Sequence, residues 1–255
     1  MYGEGSVRPA KEAAKKCPKA ERDKAMAYKI VNPEQGCPVQ GVLFDMDGVV
    51  LDTEKLYTRF WIEAAGEAGY SMSWQQALGM RSLNSVWGQQ YLEKCFGKGI
   101  DYMALREIRI RRMNAWIDLH GVDAKPGAAQ LLNFLHQNKI PCAITTSSPP
   151  QRVKDHLTPL GLYEKFDKIC SGYEVKNGKP APDIYLYGAQ SLGLAPQSCI
   201  ALEDSPTGIE SAFRAGCMPV VVPDLDEPGE ETLNRSFARV DTLADVCGLI
   251  EQLKG

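Results

Sequence analysis

The sequence predicts an α/β protein: a doubly wound parallel sheet with an all-helical insertion after its first strand. Three observations carry that prediction. From Gln40 onward, short apolar runs alternate with helical patterns, which implies βαβ units and a parallel sheet covered on both faces. Between Thr53 and about Gly121, strand signals are sparse and apolar residues recur at helical spacing. The first apolar run, in VLFDMDGVVLDTE, stops at two nearby acids, Asp45 and Asp47, at the strand end where open sheets of this class bind ligands.

The elements follow in order. Residues 1–37 stand apart as an N-terminal extension, helical or partly disordered. Its first 30 residues carry eight Lys/Arg against four Asp/Glu, and Pro18 interrupts KEAAKKCPKAERDKAMAYKI. GVLFDM is the first strand. TEKLYTRFWIEAAGEAG, SWQQALGM, SVWGQQYLEKCFG and DYMALREIRIRRMNAWIDLHG are helical, with Trp61, Trp87 and Trp116 assigned to the core of the insertion. PGAAQLLNFLHQNK is a helix, IPCAITTSS a strand, PPQRVKDHLTPLG a helix and FDKICSG a strand. A polar loop, YEVKNGKPAP, leads into the helix DIYLYGAQSLG, the strand SCIALED, the helix SPTGIESAFRAG and the strand MPVVVPD. The expected organisation is a core of residues 38–52 plus 122–255 and a helical cap of residues 53–121. Such an insertion would sit over the carboxyl ends of the strands.

Composition narrows the partners. The 255 residues are 44% hydrophobic and 24% charged, with a formal net charge of -3, as expected for a soluble globular protein. No overall positive field or nucleic-acid signature points to DNA or RNA, and no apolar stretch is long enough to span a bilayer. The eight cysteines are scattered, without a CxxC or a Cys/His cluster, and read as reduced thiols of a cytoplasmic protein. The expectation is a monomer or weak homodimer whose partner is a small molecule, with no nucleic acid and no membrane.

The strand ends hold the chemistry. The first gives Asp45 and Asp47, the second Thr145, Thr146, Ser147 and Ser148, and SCIALED gives Glu203 and Asp204; GKPAPD adds Lys179. Acids from separate strands suit a hard divalent cation such as Mg²⁺, which takes oxygen ligands and often a phosphate. A lysine and hydroxyls suit the remaining phosphate oxygens. Asp45 and Asp47 alone could be a strand-to-turn cap, with Gly48 supplying the turn. Asp204 alone could cap SPTGIESAFRAG, although Ser205 is the better candidate.

DMDGVVLDTE, the Thr/Ser after a buried strand, Lys179 in GKPAPD and ALEDSPTGIESAFRAG resemble, in order, the four motifs of the haloacid dehalogenase-like superfamily. They are most similar to its phosphatase and β-phosphoglucomutase-like branch, with a Rossmann-like core and a helical cap. The resemblance spans about Gln40 to Asp226. It implies that Asp45 is the nucleophile, forming an aspartyl phosphate, and that Asp47 is the general acid and then the base for water. It implies that Mg²⁺ is held by Asp45, the Asp47 carbonyl and Asp204, with Glu203 close by as a further candidate metal ligand. It implies further that Thr146 and Lys179 bind the transferring phosphoryl group. Dehalogenating and phosphonate-cleaving relatives lack the second acid, so Asp47 favours phosphoryl transfer from a phosphomonoester such as a sugar phosphate. In the cap, Arg81 in GMRSLNS is a candidate substrate ligand, along with Glu54 and Ser148. Mutases of this branch carry a histidine four residues after the position of Thr53. Here it is Tyr57, and Glu54 resembles the DTE of sugar phosphatases, so hydrolysis is expected over isomerisation. A hexose phosphomutase and a non-catalytic binding protein are the alternatives. DTEKLY also resembles pseudouridine 5′-phosphate phosphatases over that short stretch.

Overall fold

A computed structural model describes residues 28–81, 83 and 85–254. Most of the N-terminal extension, residues 1–27, therefore lies outside the described residues. Seven strands form one sheet among them: β1 (Tyr28–Ile30), β2 (Gly41–Phe44), β3 (Cys142–Thr146), β4 (Lys168–Ser171), β5 (Cys199–Glu203), β6 (Met218–Val221) and β7 (Ala238–Val240). Their order is β1-β7-β6-β5-β2-β3-β4, with every pair parallel except β1–β7. The sheet is thus parallel-dominated and mixed. The chain runs from β2 outward to β3 and β4, then returns to the other side of β2 as β5. The C-terminal ends of β2 and β5 therefore flank the topological switch point.

Period-two alternation explains the burial. Val42 and Phe44 of β2 join Ile144, Ile200 and Leu202 in one apolar layer, packed with Leu131 and Leu135 of the helix Ala128–Gln137 (α5, below). Leu43, Ala143 and Ala201 face the opposite layer with Ile184, Tyr185 and Ala212. Small residues let the helices on that side approach closely: a Cβ on Gly188 would lie 2.5 Å from Thr145 Cγ2.

Among the described residues five helices lie between β2 and β3, and the first four form the insertion: α1 (Glu54–Glu67), α2 (Trp74–Leu78), α3 (Ser85–Phe96) and α4 (Tyr102–His120). They bury apolar side chains of their own. Trp61, Met72, Leu92, Tyr102 and Leu105 form one cluster, and Leu56, Phe60 and Met113 another. Trp87 does not belong there: it is 61% exposed, because α3 turns Gly88 and Leu92 inward instead. The two chain crossings into and out of this segment run side by side, with Asp52 N–H donating to Asp123 O and Lys125 N–H to Val50 O. The remaining helices are α5 (Ala128–Gln137), α6 (Pro150–Leu157), α7 (Asp183–Ser191), α8 (Pro206–Arg214), α9 (Glu230–Arg235) and α10 (Asp245–Leu253).

Two short strands at one side of the sheet, the edge strand β1 and its neighbour β7, depart from the sequence reading. Residues 28–30, counted with the extension, pair with β7 as a strand, and β7 itself was not anticipated. Each is three residues long and carries a basic side chain, Lys29 or Arg239, so neither makes an apolar run. The described cysteines are free, and Cys142, Cys170, Cys199 and Cys217 are buried as expected.

Candidate active site

β2 ends at Asp45, which is buried, and the chain turns at once through Gly48 at φ +84°. A Cβ at Gly48 would lie 2.5 Å from Asp204 Oδ2, so glycine serves both the left-handed backbone and the close approach. Asp204 follows β5 directly. Carboxylate oxygens of Asp45, Glu203 and Asp204 lie within 4.8 Å of one another.

Glu203 has the most constrained surroundings of the three. Its Oε1 accepts from Lys179 Nζ at 2.5 Å and from the Tyr185 hydroxyl at 2.7 Å. Its Oε2 accepts from Ser205 Oγ at 3.2 Å and from the Asp204 N–H at 3.2 Å. Both oxygens are thus committed, and the residue is fully buried. Lys179 Nζ donates equally to Asp45 Oδ1, at 2.5 Å. Glu203 therefore holds Lys179 from beneath and aims it at Asp45. The loop and helix around it are shaped to that end. Ser205 caps α8 by accepting from the Gly208 N–H, as the sequence reading favoured, and a Cβ on Gly208 would lie 1.9 Å from Glu203 Cδ. Gly208→Ala is accordingly expected to destabilise the protein by about 1–3 kcal/mol through overpacking, read as a lower denaturation midpoint.

Electrostatics mark the cluster. Burial pushes Asp45 well above the usual carboxylate range; Lys179 opposes the shift, while Glu203 and Asp204 add to it. Burial likewise raises Asp204, reinforced by Glu54 and Glu203 and opposed by Arg81. Burial lowers Lys179, but attraction to Asp45 and Glu203 outweighs it, and its pKa ends raised. Desolvated oxygen donors in excess of the lysine beside them are the condition that a bound hard cation relieves. The cluster therefore fits a divalent metal, with Asp45 and Asp204 as the carboxylates free to ligate.

Asp47 is held differently. Its carboxylate is outside the three-acid cluster and accepts from Thr53 Oγ1 at 2.8 Å and Ser148 Oγ at 3.0 Å, with Arg152 Nη2 at 3.5 Å. Ser148, expected at the substrate, thus orients Asp47. Thr53 and Arg152 were not anticipated, although a threonine just before a helix was the available signal. Thr146 is buried at the end of β3, and its Oγ1 accepts from the Ser148 N–H at 3.1 Å.

Arg81 bridges from the helical segment to the core acids. Its Nη2 donates to Asp204 Oδ2 at 2.6 Å, its Nε lies 3.2 Å from Glu54 Oε2, and it also pairs with Asp226. A guanidinium shared by three carboxylates has little charge left for a phosphate. Burial raises Glu54 from 4.5 to about 7, against the pull of Arg81. A carboxyl whose folded pKa is raised contributes stability that is complete below the unfolded pKa of 4.5 and lost as pH rises through about 7. Glu54→Gln should therefore flatten the pH dependence of the metal-free protein across that window, by up to about 3 kcal/mol. Denaturant unfolding with chelator at the two ends of the window measures it.

Asp45, Asp47, Glu54, Arg81, Thr146, Ser148, Lys179 and Asp204 all line one cavity of about 1120 Å³ between the sheet end and the helical segment. Among the described residues, no helix is long and apolar enough to cross a membrane.

Comparison with known proteins agrees with this geometry. The family model for haloacid dehalogenase-like hydrolases matches residues 39–216. The chain is 35% identical over 187 residues to hexitol phosphatase A of Escherichia coli K12, covering 72% of this chain and 82% of that protein. It is 34% identical over 218 residues to the "Probable pseudouridine-5'-phosphatase" of Drosophila melanogaster, covering 81% and 89%. A crystal structure of a HAD family hydrolase from Deinococcus radiodurans R1, with bound phosphate and sodium, superposes with a TM-score of 0.71 at 27% identity, covering 85% and 97%. A β-phosphoglucomutase from Clostridium difficile superposes at 0.68 and 23% identity, covering 85% and 97%, which bears on the fold alone. With a seven-stranded core, four acids at two strand ends and a family match across most of its length, the chain belongs to the haloacid dehalogenase-like hydrolases.

Proposed function

We propose that the protein is a Mg²⁺-dependent phosphatase that hydrolyses a small phosphomonoester, such as a sugar phosphate, through an aspartyl phosphate on Asp45. In this reading residues 38–52 and 122–255 form the catalytic core, and residues 53–121 form a cap over it. The observation that carries the reading is the division of labour between the two acids. Asp45 sits against Lys179 and beside Asp204, whereas Asp47 is held apart by two hydroxyls. That difference supports a reading in which one carboxylate attacks phosphorus and the other moves a proton.

Asp45 attacks, breaking the bond between phosphorus and the ester oxygen, and Asp47 delivers its proton to the departing oxygen. Asp47, now a carboxylate, takes a proton from water as that water attacks phosphorus and frees Asp45. Lys179 neutralises charge on Asp45 and the phosphoryl oxygens, and Thr146 donates to one of them. Mg²⁺ would be held by Asp45, Asp204 and the Asp47 carbonyl, and would supply further charge neutralisation at the phosphoryl group. Glu203 acts through Lys179 rather than as a ligand.

The named phosphatase relatives support the hydrolytic reading. So does Tyr57, which stands where mutases of this branch place histidine; its ring faces Arg109 and Arg152. The test is release of phosphate from p-nitrophenyl phosphate with and without Mg²⁺. Turnover that disappears with chelator and returns with Mg²⁺ is expected; absence of turnover on a broad set of phosphomonoesters contradicts the proposal. Formation of glucose 6-phosphate from β-glucose 1-phosphate, with little phosphate released, would instead make it a mutase.

A further inference from the structure

Lys179 and Arg81 are both committed to carboxylates, yet the cavity has other cations. Arg109 of α4 and Arg152 of α6 line it on the side of Tyr57. Arg109 is 7% exposed, its Nε is buried without a hydrogen-bond partner, and among the described residues it forms no ion pair. Its Nη1 makes a weak contact with Met113 Sδ at 3.7 Å. The guanidinium lies 4.7 Å from the Tyr57 ring centroid and 5.1 Å from that of Trp61. Arg152 approaches the same Tyr57 ring at 5.3 Å, and its Nε is also buried and unpartnered.

A guanidinium buried without a carboxylate is an expensive arrangement, and aromatic faces offset only part of the desolvation. Two cations against one ring add mutual repulsion. The acids at the cavity rim, Asp118 and Asp155, are exposed and pair with neither arginine. An anion entering the cavity would give Arg109 the ion pair it lacks and the buried Nε of Arg152 an acceptor. Its location follows from Arg152, whose Nη2 lies 3.5 Å from Asp47 Oδ1. Asp47 serves the ester oxygen of the leaving group, so the anion sits a few bonds from that oxygen.

We propose that Arg109 and Arg152 form a second anion subsite, so that the preferred substrate is a small phosphomonoester whose leaving group carries a carboxylate or a second phosphate. The inference rests on the phosphatase reading above. It predicts discrimination among probes that share one two-carbon skeleton: ethylene glycol monophosphate, phosphoglycolate and ethylene glycol bisphosphate.

For the wild-type protein with Mg²⁺, kcat/KM should be at least about tenfold higher for one of the two anionic probes than for the neutral one, the scale of one charge-assisted hydrogen bond. Whichever probe is preferred identifies the anion as carboxylate or phosphate. Arg109→Gln should bring that ratio close to one, and Arg109→Lys should retain part of it. The ratio within each variant is the readout, so a general loss of folded protein does not imitate the effect. Because the wild-type ratio needs no variant, it decides the matter if Arg109→Gln does not fold. Turnover of all three probes and of p-nitrophenyl phosphate, with ratios near one, overturns the subsite and leaves the phosphatase reading standing. A wild-type preference that persists undiminished in Arg109→Gln also overturns it. No turnover of any probe, p-nitrophenyl phosphate included, overturns both.

Discussion

Replacing Asp45 by Asn is expected to lower kcat on any phosphomonoester by at least about 10⁴-fold, because the amide cannot form the covalent intermediate. The loss should leave the fold intact. Burial disfavours the charged form of the Asp45 carboxyl, a desolvation cost that Asn does not bear. Lys179 keeps Glu203 as a partner at 2.5 Å. In the absence of metal, Asp45→Asn should therefore melt at or above the wild-type temperature while turnover disappears. A variant that lost activity together with folded structure would speak for a structural role instead.

Glu203→Ala should have the largest effect on stability, about 3–5 kcal/mol, the cost of breaking a buried charge pair by removing one partner. Lys179 and the Tyr185 hydroxyl would both lose an acceptor in the interior, and the Ser205 hydroxyl would lose one too. Activity should fall with it, since the lysine no longer has a fixed aim. Glu203→Gln keeps the shape and an oxygen acceptor, so its loss should be smaller. Urea unfolding of the two variants beside wild type measures the difference. Equal stability of all three would mean that Glu203 does not anchor the network.

Much of this arrangement was legible in the sequence because strand ends are. β2, β3 and β5 are apolar runs that stop at polar residues, and chain order alone places those stops on one sheet edge. Asp45, Asp47, Thr146, Lys179 and Asp204 are found together at that edge. What side chains do to one another was less legible. Glu203 and Asp204 are adjacent letters, yet one has every oxygen committed within the interior and the other faces the cavity. Only the approach of Lys179 and Tyr185 from other segments separates them. Ser148 reads as a substrate hydroxyl until Asp47 is seen beside it. Arg109 was invisible for a different reason. α4 carries basic residues at Arg106, Arg109, Arg111 and Arg112, and a helical arginine is exposed by default. Three of its neighbours along the helix follow that expectation more closely; Arg109 is buried because Tyr57 and Trp61 of α1 cover it. The strands β1 and β7 escaped because each is three residues long with a basic residue in the middle.

Asp45 as the covalent carrier of phosphate is the claim on which the rest depends, and rapid quench with a radiolabelled phosphomonoester tests it directly. Label should appear on the protein within a single turnover, be released by hydroxylamine, and map to the peptide containing Asp45. It should build up further in Asp47→Asn, which lacks the base for hydrolysis, and be absent from Asp45→Asn. Wild-type turnover with Mg²⁺ that leaves no label on the Asp45 peptide, in wild type or in Asp47→Asn, would contradict the account.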